Sequence, residues 1–280
     1  MLTREEEGAF YVFGPLAVLS AALLSVTSTS LWSRNVGETS CGWRLSYSPD
    51  GRAFAIWGLI YLYTAVSVVM QITTLLVILG WWANFLWGLA WVCCTIWVPL
   101  FDAEYPDALR AAALVIACGA TSALMGAWES QMWVADNWEQ RGKQLAVGLP
   151  LTLLAGWLLT ASSIGIGIAW KANQPGAYST CIRVEPKRPD ESESQYRRRR
   201  RVLYREAYAK SPSGVSVVPF VLSLLVGGLA FAIPDPVLTV PLAWAVLNLR
   251  AFPSFVYVGC LVVLACGSAG ACVRLGFFPD

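Results

Sequence analysis

Long apolar runs alternate with short polar ones along the chain, and the runs have the length of membrane crossings. A helix needs about 20 apolar residues to cross about 30 Å of hydrocarbon. Windows of that kind cover residues 9–31, 53–79, 81–101, 108–128, 144–170, 213–231 and 252–273. The stretch 53–101 holds 49 residues without a charge, too many for one crossing, and it divides at Gly80-Trp81-Trp82. An eighth window, 236–249, has 14 residues and rises only about 21 Å as a helix. It predicts a shallow or re-entrant span, so seven crossings stand beside eight as an alternative. Barrel strands would alternate polar and apolar positions, which these runs do not do. Backbone groups in lipid must then be satisfied within helices. The predicted fold is all-α: a polytopic transmembrane helical bundle of about eight helices in a single membrane domain over 1–280, with a basic extramembrane loop at 171–212.

Composition sharpens this picture. Hydrophobic residues make up 56% of the chain and charged residues 14%, with a mean hydropathy of +0.55; about 25% charged is usual in a soluble domain. Arg110 is the one charge inside a window, near an end from which it can snorkel to the headgroups. Trp32, Trp81, Trp82, Trp128, Trp133, Trp138 and Trp170 fall at predicted span ends, as an interfacial aromatic belt does. The loop at 171–212 carries 11 of the 20 Lys and Arg against five acids. With eight crossings this asymmetry places both termini on the outer, luminal or intermembrane side. The start, Met-Leu-Thr-Arg-Glu-Glu-Glu, reads neither as a secretory leader nor as a transit peptide, so the first window is expected to act as an internal insertion signal.

There is no histidine, which removes Ser-His-Asp catalysis, His-bound zinc and His-ligated haem. No lysine lies inside a window, so a retinal Schiff base is excluded, and the near absence of ionisable groups argues against a proton pump or charge-coupled transporter. Eight cysteines form no Cys-x-x-Cys, and six of them sit in windows, where they read as small apolar residues. Cys41 and Cys181 fall in loops on the same predicted side, and a disulfide between them is left open.

Some polar and aromatic residues do lie inside the windows. Trp57, Tyr61 and Gln71 belong to the second; Asn84, Trp87 and Trp91, at i, i+3 and i+7 of the third, share one face; Trp157 is in the fifth. One reading is an aromatic pocket with Tyr61 and Asn84 as polar anchors. The other is interhelical packing with one or two hydrogen bonds, which spacing alone favours. Stripes of small residues, Ala161, Gly165 and Ala169, then Gly267 and Ala271, permit close helix contact within the chain or with a partner. The run Arg197, Arg198, Arg199, Arg200 and Arg201 sets topology, and also suits anionic lipid or an acidic partner subunit. A nucleic-acid partner is not expected of a polytopic chain.

Residues 47–61, Tyr-Ser-Pro-Asp-Gly-Arg-Ala-Phe-Ala-Ile-Trp-Gly-Leu-Ile-Tyr, resemble the (Thr/Ser)-Pro-x-Gly-x-x-Phe-x-Ile-Trp-Gly-x-Ile-Tyr segment of the tryptophan-rich sensory proteins, extended relatives in the TspO/translocator family. Asn84, Trp87 and Trp91 resemble that family's Asn-x-x-Trp-x-x-x-Trp, Leu149-Pro150 and Gly156-Trp157 its fifth-helix Leu-Pro…Gly-Trp, and Trp244-Ala245 a Trp-Ala of the penultimate span. The resemblance runs in order over roughly residues 47–250. It implies a compact bundle that binds porphyrins, sterols or other flat apolar molecules and is not a dedicated enzyme, with Trp57, Tyr61, Asn84, Trp87, Trp91 and Trp157 as candidate pocket residues. The chain departs from the family on the fifth helix: Leu151, Leu154 and Gly165 stand where relatives carry Phe, Tyr and Asn. Losing hydrogen-bonding groups costs a site its specificity before it costs apolar burial.

The expectation is therefore a non-enzymatic accessory or structural subunit of a larger membrane assembly that packs helices and binds lipid. The alternative is a sensor or carrier for a porphyrin, sterol or lipid. No cofactor is expected beyond such a bound molecule. Expected partners are membrane lipids and either other membrane subunits or further copies of the chain. An organelle inner membrane, the mitochondrial one favoured, is the expected location.

Overall fold

The computed structural model describes residues 13–31, 45, 48, 51–74, 79–102, 105–132, 138–173, 190–192, 195–196, 218–233, 235–248 and 254–274. Among them every regular element is helical. In chain order these are α1 (Phe13–Leu31), a 3-10 turn (Gly51–Ala55), α2 (Ile56–Thr74), α3 (Trp81–Asp102), α4 (Pro106–Met132), α5 (Trp138–Ala172), α6 (Val218–Ala232), a second 3-10 turn (Pro236–Thr239), α7 (Val240–Leu247) and α8 (Ser254–Arg274). Among the described residues five stretches are long and apolar enough to cross a membrane: Phe13–Leu31, Arg52–Thr73, Trp81–Asp102, Pro106–Ser130 and Val147–Ala172. Cys41, Cys181, Trp32, Trp133, the side chain of Trp138 and Arg197 to Arg201 lie outside the described residues, so the expectations that rest on them meet no structural counterpart.

The boundaries follow from local chemistry. The charge-free stretch breaks where Leu79 and Gly80 interrupt the helix, and α3 begins at Trp81. Pro106 starts α4 at a position whose missing N–H costs nothing. The short seventh window resolves into four residues of 3-10 helix and eight of α-helix. Its total rise of about 20 Å falls short of the hydrocarbon. Pro236 opens it, and Asp235 Oδ1 caps it by accepting from the Val237 N–H at 2.9 Å.

α5, 35 residues long, is the pillar of the bundle and the most buried of the five long apolar helices. It packs along α4 and meets α2, α6, α7 and the second 3-10 turn. Leu151, Leu154 and Leu158 are fully buried on it. Small residues set the closest approaches: a Cβ on Gly119 of α4 would lie 2.9 Å from Cys93 Cβ on α3. Arg110 donates to Asp107 at 3.0 Å and to the Asn173 side chain, tying the start of α4 to the end of α5. The ion pair is exposed and contributes at most about 1 kcal/mol. Trp81, Trp82, Trp128 and Trp170 are all exposed near helix ends, where a belt of indoles belongs.

The last three helices form a hairpin-like unit. α6 and α8 cross at glycines: a Cβ on Gly267 would lie 2.6 Å from the Gly227 carbonyl oxygen. The small residue at 267 therefore serves a contact within the chain.

Candidate functional site

The aromatic residues of the central helices meet. Trp57 and Tyr61, one turn apart on α2, stack with ring centroids 5.7 Å apart. Tyr61 stacks on Trp91 of α3 at 4.9 Å with the planes 21° apart. Trp57 also touches Trp91 at 6.1 Å and meets Trp157 of α5 edge-on at 6.2 Å. Such pairs add about 0.5–1.5 kcal/mol each beyond area burial. The Tyr61 hydroxyl lies 3.1 Å from Ser25 Oγ, which fastens α1 to the cluster.

Asn84 and Trp87 are placed elsewhere. Asn84 Nδ2 donates to Gln71 Oε1 at 3.2 Å and to the Leu79 carbonyl at 3.3 Å, closing the α2–α3 turn. α1 crosses beside it, since a Cβ on Gly14 would lie 3.3 Å from Asn84 Cβ. Trp87 is fully buried in the core. The six candidate residues thus separate into a four-ring cluster, Trp57, Tyr61, Trp91 and Trp157, and two residues nearer the turn.

A cleft opens on the far side of Trp57 and Trp157. Phe54 lines it from the first 3-10 turn, Trp57 from the start of α2, Trp97 and Phe101 from α3, Ile116 from α4, and Trp157, Ala161, Ile164, Gly165 and Ile168 from α5. Its volume is about 50 Å³, against several hundred for the usual small-molecule site. Phe54 meets Trp157 edge-on at 6.0 Å, and Trp97 stacks on Phe101 at 5.0 Å. The wall holds no charged side chain. Gly165 is part of the wall, and a Cβ there would sit 3.6 Å from Ala113 Cα and from Ile116 Cγ2, ordinary contacts.

Of the cleft residues, only Trp57 and Trp157 were readable as candidates from spacing and resemblance. Trp97, Phe101, Ile164 and Ile168 carry no mark beyond being apolar; their placement depends on which helix ends converge. Among the described residues no group of three or more Cys, Asp or Glu comes together to hold a metal ion.

Several buried polar atoms have no hydrogen-bond partner among the described residues. They include Trp87 Nε1, Trp91 Nε1, Trp157 Nε1, Thr64 Oγ1, Gln71 Nε2 and Asn84 Oδ1. Each such group costs about 1–3 kcal/mol when nothing satisfies it.

The model of one family, described as TSPO-like protein, matches residues 10–178. The chain belongs to the TSPO-like family. No curated protein and no solved structure matches it. The matched stretch contains α1 to α5, the aromatic cluster and the cleft; α6 to α8 lie beyond it. With five long apolar helices, this TSPO-like protein is a multi-pass integral membrane protein.

The part beyond the match is fastened to the TSPO-like part at three points. A Cβ on Gly156 of α5 would lie 2.4 Å from the Leu238 carbonyl oxygen, so only glycine allows the second 3-10 turn to sit there. Thr152 Oγ1 donates to Asp235 Oδ2 at 2.6 Å, and both residues are buried. Trp244 Nε1 donates to the Ala53 carbonyl at 3.0 Å, next to Phe54 of the cleft. Read in sequence, Asp235 is a loop residue between two prolines, with nothing to announce that it is buried.

Proposed function

We propose that this TSPO-like protein is a non-catalytic membrane protein that seats an apolar, lipid-like chain in the cleft between α2, α3, α4 and α5. The observation that carries this reading is the character of the wall. It consists of aromatic and aliphatic side chains, with Gly165 opening the space where the family resemblance leads one to expect Asn. Such a wall selects by shape and apolar burial and offers little to orient polar substituents. A volume of about 50 Å³ accepts a few methylenes, not a porphyrin.

The test uses the full chain in lipid nanodiscs and measures quenching of tryptophan fluorescence by a bromine-labelled fatty acyl chain. Saturable quenching that weakens about tenfold or more in Gly165→Leu, which fills the cleft, supports the reading. Quenching equal in the variant and the wild type overturns it. Protoporphyrin, run in parallel, is expected to give no saturable quenching.

A second reading, an accessory subunit of a larger membrane assembly, is favoured by one observation. Tyr61 stacks on both Trp57 and Trp91, which also touch at a tilt, so side chains occupy the interior between α2 and α3. The run Arg197 to Arg201 would then dock on anionic lipid or an acidic partner, and an organelle inner membrane remains the proposed location. Gentle detergent extraction followed by native electrophoresis decides: migration with a large complex supports the subunit reading, and migration as a small free oligomer opposes it.

A further inference from the structure

A second set of groups, unused by the cleft, lies between α2 and α3. Five of the buried atoms without a partner belong to these two helices: Thr64 Oγ1 and Gln71 Nε2 on α2, and Asn84 Oδ1, Trp87 Nε1 and Trp91 Nε1 on α3. The two helices form a hairpin about Leu79 and Gly80. That geometry sets Gln71 opposite Asn84, as their 3.2 Å hydrogen bond shows. The same register carries Thr64 to the level of Trp91, whose ring Tyr61 covers at 4.9 Å. The five atoms therefore follow one seam. Side chains bridge it, and the two helix backbones do not pack closely along it. α1 passes beside it, with Gly14 against Asn84 and Ser25 against Tyr61.

Thr64 is the telling residue. Thr27, Thr29, Thr73, Thr95, Thr121 and Thr160 each donate to the carbonyl four residues back, the ordinary way for a helical hydroxyl to be satisfied in lipid. Thr64 does not, and its oxygen is buried.

The chemistry of the five atoms selects their guest. Gln71 and the two indoles present N–H donors, Asn84 presents an acceptor, and the Thr64 hydroxyl is both. An anion would meet the Asn84 oxygen, a cation would meet three N–H groups, and an acyl chain would leave all five unpaired in a medium that cannot hydrogen-bond them. A small neutral molecule that donates and accepts equally well fits them all. We infer that the α2–α3 seam is an internal hydration site, in which ordered water bridges Gln71, Asn84 and Trp87 at one level and Thr64 and Trp91 at the other. A buried water makes two to four hydrogen bonds, which matches two or three partners per level. This site is separate from the apolar cleft and does not depend on what the cleft binds.

Water-edited magic-angle-spinning NMR of the full chain in nanodiscs tests the inference, with indole nitrogens labelled and assigned by single Trp→Phe variants. Trp157 is the internal control, because its indole is also buried and unpartnered but belongs to the apolar cleft. Magnetisation from water is expected to build up at Trp87 and Trp91 at least about threefold faster than at Trp157. Thr64→Val keeps the shape and removes the hydroxyl. It is expected to slow the build-up at Trp91 by about half or more while leaving Trp87 unchanged. Build-up at Trp87 and Trp91 no faster than at Trp157 overturns the site. So does transfer to them from lipid protons in place of water, or a Trp91 signal indifferent to Thr64→Val.

Discussion

The five-helix unit and the three helices after it are held together in different ways. In α1 to α5 the interior around α2, α3 and α5 is built from rings. Tyr61, Trp57, Trp91 and Trp157 meet at centroid separations of 4.9–6.2 Å, the range of packed aromatic pairs. Polar atoms there go unpartnered, and space remains beside Gly165. In α6 to α8 and their seat on α5, backbone lies directly on backbone at Gly227, Gly267 and Gly156, and polar groups are matched in pairs such as Thr152 with Asp235. The apolar cleft lies in the first unit; the second is closed by glycine crossings and paired hydrogen bonds. The contrast is one of construction: rings and a cleft in the first unit, backbone contact and matched polar pairs in the second.

Two buried cysteines, Cys94 on α3 and Cys260 on α8, report on the two units separately when each is the only cysteine present. Their labelling rates with a membrane-permeant thiol reagent measure local opening. The largest effect is expected for Gly267→Val. Its Cβ would lie 2.6 Å from a backbone oxygen that cannot turn aside, so a loss of about 3 kcal/mol is expected. Cys260 should then label about a hundredfold faster and Cys94 hardly at all faster. Equal acceleration at both would show that the two units open together and would end the contrast.

Thr152→Val comes next. It removes the donor from a buried carboxylate and is expected to cost about 2 kcal/mol, again seen first at Cys260. A variant as stable as the wild type would mean that Asp235 is satisfied by other groups. Gly165→Ala is expected to stay within about 0.5 kcal/mol of the wild type by thermal unfolding. Its Cβ meets Ala113 at 3.6 Å, no closer than ordinary contact. A loss well above that would show the cleft to be packing surface with no spare room.

Much of the fold was legible because charge is so costly in hydrocarbon. The breaks at Gly80 and around Pro236 were visible as interruptions of apolar runs. The spacing of Asn84, Trp87 and Trp91 put them on one face, and all three are buried. What spacing could not give is which face of one helix meets which face of another. Asn84 and Trp91 share a stripe, yet one closes a turn and the other joins a ring cluster. Gly156 reads as half of a Gly-Trp pair, while its physical role is decided by Leu238, far along the chain. Asp235 shows the same limit: a carboxylate between two prolines looks like a surface turn until Thr152 and the Val237 N–H close around it.

The 35 residues of α5 span about 52 Å, over 20 Å more than the hydrocarbon is thick. Tilt alone cannot absorb the surplus, since it would demand an inclination beyond the 40° that membrane helices reach at most, roughly. Part of the helix therefore stands clear of the lipid. Glu139, Arg141 and Lys143 occur in its first two turns, so the projecting end is the N-terminal one, a charged mast rising from the same helix that walls the cleft below.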